Sequence, residues 1–131
     1  MTHIGFKKRI DYALRDKRYS GTEYDLQRLV GKRFLGLQYA LASNDKRRYK
    51  DIPSYDVSLK WEGFIMKFVA VDEGDIPIVM KEFTNFTLED WDIFPNHAAQ
   101  MVILHLKDFE EVIVFNTYGG IYGGIEWQTI D

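Results

Sequence analysis

The spacing of apolar side chains changes period along this chain, and each change predicts a new element. From His3 to Arg15, Phe6, Ile10, Ala13 and Leu14 recur at helical intervals, with Lys7, Lys8, Arg9 and Arg15 on the opposite face. A second helix is predicted from Thr22, where Thr22 and Asp25 resemble a capping box ahead of Leu26, Leu29 and Val30. Gly31 stands where a left-handed C-cap belongs. The period then shortens to two. Leu35, Leu37, Tyr39 and Leu41 alternate with Gly36, Gln38 and Ala40, which predicts a strand. A single helix over 22–42 also fits Leu26, Val30, Phe34, Leu37 and Leu41, but two interior glycines would cost it about 1 kcal/mol each.

Beyond the polar stretch Ser43 to Pro53 the pattern becomes strongly β. Tyr55, Val57, Leu59 and Trp61 alternate with polar residues, Glu62 and Gly63 supply a turn, and Phe64 to Val71 is nearly continuous apolar. After a turn at Asp72–Asp75, Ile76 to Phe83 is predicted as a third strand of a meander, with Pro77 at its start. Thr87, Leu88, Glu89 and Asp90 form an N-cap signal for a short helix reaching Phe94, which Pro95 ends. Gln100 to Leu106 and Glu110 to Thr117 are predicted as an antiparallel hairpin, rich in β-branched residues. A last short strand falls within Ile125 to Ile130. The expected architecture is α+β: two N-terminal helices, then a mainly antiparallel sheet of about six or seven strands with one short inserted helix.

Composition adds that 131 residues make one domain, 1–131, and that 46% apolar and 15% aromatic content is enough to bury a substantial core. The chain has no cysteine, which removes disulfides, thiolate nucleophiles and cysteine metal sites and fits a reducing compartment such as the cytoplasm. No apolar run has the length of a membrane span or a signal peptide, so no membrane partner is expected.

The net charge of −3 conceals a division: residues 1–50 hold 13 Lys and Arg against 5 Asp and Glu, whereas residues 51–131 hold 4 against 15. A basic first part and an acidic second part suit an anionic partner, a cationic partner, or docking of opposite charges within the chain or between copies in a homo-oligomer.

Candidate chemistry narrows by exclusion. The four serines lie outside any nucleophile-elbow pattern, and phosphate-loop, dinucleotide-loop and zinc-protease signatures are missing. Asp90, Asp92 and His97 could hold a hard or borderline cation and support a metal-assisted hydrolase. The two carboxylates are equally explained by the positive end of the predicted helix, and no metal or cofactor is assigned. His105 reads as a core or edge histidine.

Two segments remain. Lys46, Arg47, Arg48 and Lys50 surround Tyr49, a grouping able to meet a phosphate and stack on a base, or simply to solvate a loop. Tyr118 to Ile125 reads YGGIYGGI: Gly119, Gly120 and Gly123 with Gly124 can turn backbone N–H groups toward an anion, while Tyr118 and Tyr122 can stack on a planar ring. The bland alternative is a wide turn between the strands on either side.

The reading that follows is a small non-enzymatic binding protein for an anionic ligand such as a nucleotide or nucleic acid. Its site would comprise Arg47, Arg48, Tyr49, Lys50, Tyr118, Gly119, Gly120, Tyr122 and Gly123. The alternative is a protein-protein regulator or inhibitor that acts on a basic partner through its acidic C-terminal part.

Overall fold

The computed structural model describes residues 22–42, 53–96, 99–118 and 124–130. Among them are one α-helix, α1 (Thr22–Leu29), and seven strands: β1 (Phe34–Leu41), β2 (Tyr55–Trp61), β3 (Phe64–Ala70), β4 (Leu88–Asn96), β5 (Ala99–Leu106), β6 (Val112–Tyr118) and β7 (Glu126–Thr129). The strands form two antiparallel sheets, ordered β1-β2-β3-β7 and β4-β5-β6.

The fold is therefore mostly β, which corrects the α+β expectation. The predicted helix over His3 to Arg15 lies outside the described residues, so α1 is the only α-helix among them. The short inserted helix does not form, because Leu88–Asn96 is a strand paired along its length with β5. A bulge misleads the pattern reading. The register shifts between Leu88 and Asp90, so Leu88 and Trp91, three residues apart, both enter the core, with Ile93 following two residues later. That first interval imitates a helical one.

A further expectation fails for a related reason. Ile76 to Phe83 forms no third strand; it runs irregularly into a 3-10 turn at Lys81–Phe83, and Ile78 is 86% exposed. The edge of β3 that it would have occupied is taken by β7, a segment about sixty residues later in the chain. Pro77, lacking an N–H, is poorly suited to compete for that ladder. The strands on either side of the double-glycine segment, β6 and β7, are not paired with each other. They belong to different sheets, so YGGIYGGI spans the crossing between sheets.

The remaining elements follow the sequence pattern closely. In β2, Val57, Leu59 and Trp61 are buried while Asp56 and Lys60 are exposed, and the β2–β3 register pairs Val57 with Phe68 and Leu59 with Met66 on the core face. Helix α1 buries Leu26 and Leu29 fully and ends at Gly31, whose φ of +88° is a left-handed conformation that favours glycine. Gly31 N–H donates to Leu88 C=O at 2.8 Å, and Phe34 N–H donates to Phe86 C=O at 2.8 Å. With the Arg33–Thr87 bridge, these bonds join the start of β1 to the start of β4 and tie the two sheets at one corner.

The core fills the space between the sheets. Phe68 of β3 stacks on Phe115 of β6 with ring centroids 4.3 Å apart, and Phe34 meets Trp61 edge-on at 5.0 Å. Trp91 Nε1 donates to Gln27 Oε1 at 3.1 Å, so α1 is held to β4 by a hydrogen bond as well as by its leucines.

Candidate ligand site

The outward face of β2, β3 and β7 carries a cleft of about 290 Å³. Asp56, Ser58, Lys67 and Glu126 supply its polar lining, and Gly124 forms part of its wall. Strand pairing explains the grouping. Ser58 is opposite Lys67 and Lys67 is opposite Glu126, so the three lie in one row across β2, β3 and β7. Asp56 sits two residues from Ser58 and projects to the same face. A hydroxyl, an ammonium and two carboxylates are thus collected within one shallow concavity.

Gly124, at the end of the double-glycine segment, has a φ of +64°, and its N–H donates to Tyr118 C=O at 2.7 Å. This bond brings the two ends of the segment together beside the cleft. The remaining glycines and Tyr122 lie outside the described residues, as does the basic group Arg47, Arg48, Tyr49 and Lys50. Tyr118 is described: it is half-buried, and its hydroxyl donates to Asp75 Oδ2 at 3.1 Å. That bond fixes the phenol toward the turn after β3.

Lys67, Asp56, Ser58 and Glu126 were not singled out by the sequence reading. Each occupies an outward position in a strand, which locally reads as a solvated face. Their one signal is tertiary: β7 returns to β3 and sets Glu126 beside Lys67. A smaller cleft of about 160 Å³ lies between α1 and β7, where Asp25, Arg28 and Phe64 are among the lining residues. There Arg28 lies 3.3 Å from Asp25 and 5.2 Å from the centre of the Phe64 ring.

The carboxylates considered for a metal have a different setting from the one expected. Asp90 and Asp92 occupy a strand, so a helix dipole does not account for them, and His97 lies outside the described residues. Both are buried, and His105 Nε2 lies 2.7 Å from Asp92 Oδ2. Asp90 Oδ1 accepts from the backbone N–H of Trp91 at 2.9 Å. Among the described residues no group of three such side chains is arranged to hold a metal ion. His105 is a buried histidine of the sheet, as its apolar neighbours suggested.

No helix among the described residues is long and apolar enough to cross a membrane. Comparison with protein-family models, with curated proteins and with solved structures finds no match to this chain, and the functional reading accordingly rests on the cleft and its surroundings.

Proposed function

We propose that the protein binds a small ligand that carries one anionic group together with hydroxyl or amino donors, of mononucleotide size or smaller, in the cleft beside the double-glycine segment. The observation that carries this reading is the meeting of Lys67 with Asp56, Ser58, Glu126 and Gly124 in a volume of about 290 Å³. That volume lies near the lower end of small-molecule sites, roughly 300–1,000 Å³. Lys67 suits an anionic group as a point charge, and the two carboxylates suit sugar hydroxyls or an amine. A nucleic-acid strand fits less well, because successive phosphates would run past Asp56 and Glu126. The Arg47 and Arg48 segment is included in the proposal as a second source of positive charge.

The alternative, a regulator that covers a basic surface with its acidic part, has weaker support. Asp72 and Glu73 are exposed after β3, close to the Tyr118 end of β6, whereas Asp108, Glu110 and Glu111 are exposed before its Val112 end. The length of β6 separates the groups by about 20 Å, so they do not form one acidic face.

Thermal melting with mononucleotides, nucleosides and inorganic phosphate, followed by calorimetric titration, tests the proposal. A bound ligand at about 100 times its dissociation constant stabilises by about 2.7 kcal/mol, a rise of several degrees. Lys67→Met should remove that rise while leaving the unliganded midpoint nearly unchanged. A panel without any stabilising compound, or a Lys67→Met protein that binds as well as the wild type, overturns the reading.

A further inference from the structure

Among the described residues, β1 has strand neighbours on one side only. Its first residues are tied to 85–88, but beyond the bulge at Phe34/Gly36 no described strand lies along its outer edge. Such edges are ordinarily blunted by lysine, proline or a bulge placed along the strand. Here the sequence FLGLQYAL contains no charge and no proline, and its bulge at Phe34/Gly36 lies at the end already tied to 85–88, so Leu37 to Leu41 run regularly. Tyr39 and Leu41 are 57% and 60% exposed, and Gln38 and Ala40 on the other face are exposed as well. The outer edge therefore has the composition of a strand that is paired.

We infer that a second copy of this chain pairs with it there, β1 against β1 in antiparallel register about a two-fold axis at Gln38, joining two four-stranded sheets into one of eight. The register follows from charge. Within one copy, Ala40 is opposite Asp56 and Gly36 is opposite Lys60. With Gln38 facing Gln38 of the second copy, Ala40 faces Gly36 of that copy. Asp56 of one copy and Lys60 of the other then share a row with only Ala and Gly between them, and the two-fold repeats the arrangement. Three strand spacings separate their Cα atoms by about 14 Å, a gap that the lysine side chain shortens toward the screening length of about 8 Å.

Sliding the register by two residues removes this match. Asp56 would then share a row with Ser58 or Trp61 of the second copy. Sliding by one would set the core face of one sheet against the outer face of the other. In the Gln38 register, Leu37 faces Tyr39 and Leu35 faces Leu41 of the second copy, so the apolar positions meet apolar ones. The pairing uses one surface twice, as a closed two-fold dimer requires.

The lack of native cysteine makes the register directly testable. In the variant Gln38→Cys the two Cα atoms across the axis would be about 4.5–5.5 Å apart, within disulfide range. Mild oxidation should give a covalent dimer. Ala40→Cys, equally exposed, would place its sulfurs about 13 Å apart along the strand and should remain uncrosslinked. Sedimentation equilibrium of the full wild-type chain should give twice 15.4 kDa. Tyr39→Lys should give a monomer with an unchanged circular dichroism spectrum, and Val114→Lys, at an exposed position of the other sheet, should remain dimeric. A wild-type chain that stays monomeric at about 100 µM, above the micromolar dissociation constants of ordinary specific association, overturns the inference. So does equal crosslinking of the two cysteine variants.

Discussion

Replacing His105 by Phe tests the pairing at the centre of the smaller sheet. The Asp92 and His105 side chains are 3% and 10% exposed and 2.7 Å apart, so little water screens them. Removing one member of a buried pair costs about 3–5 kcal/mol, chiefly because the other loses its partner while remaining desolvated. A domain of this size is stable by about 5–15 kcal/mol, so the loss is a substantial fraction of the total. Asp92→Asn keeps an oxygen that can accept from Nε2 and should cost less, about 1 kcal/mol, the net worth of an ordinary hydrogen bond. Urea denaturation followed by tryptophan fluorescence measures both, with Trp91 adjacent to the site. At a slope of about 1–3 kcal/mol/M, His105→Phe should lower the midpoint by about 1–5 M without changing the slope. A double-mutant cycle with Asp92→Leu then isolates the pair from other neighbours of each residue, with an expected coupling of about 1.5–3 kcal/mol. A loss below about 1 kcal/mol for His105→Phe, or a coupling near zero, would refute the argument that burial makes this contact strong.

Phe115→Ala should destabilise by about 3–5 kcal/mol, since Phe115 is 2% exposed and its stacking on Phe68 connects the sheets; the calorimetric melting midpoint should fall by more than 10 °C. Gly31→Ala meets no atom within 4 Å of the new Cβ, so its expected cost of about 1–2 kcal/mol is backbone strain at φ +88° alone, and chemical denaturation that finds no loss would contradict the left-handed helix end.

Local pattern sufficed for those elements whose neighbours in space are also neighbours in sequence. The β2–β3 hairpin has strict alternation on β2 and a Glu62–Gly63 turn between its strands, and Gly63 takes a φ of +84° there. The β5–β6 hairpin and α1 were legible for the same reason, and Gly31 marked the helix end. Period-two alternation also separated the β1 strand from the competing long helix.

What sequence alone left undetermined depended on distant partners. β4 carries helix-start residues and an inward spacing of three, yet a full ladder with β5 makes it a strand, and the bulge hides its alternation. Ile76 to Phe83 is apolar enough for a strand, but β7 occupies the edge it needed. The cleft shows the same dependence most clearly. Lys67 and Glu126 are each unremarkable on a polar strand face, and their position beside Asp56, Ser58 and Gly124 exists only because the chain crosses between sheets after Tyr118. The sequence by itself determined the strand faces, the absence of cysteine chemistry and the unequal distribution of charge. The tertiary structure decided which strands became neighbours, because a strand satisfies its backbone hydrogen bonds with another strand, and that partner can lie anywhere along the chain.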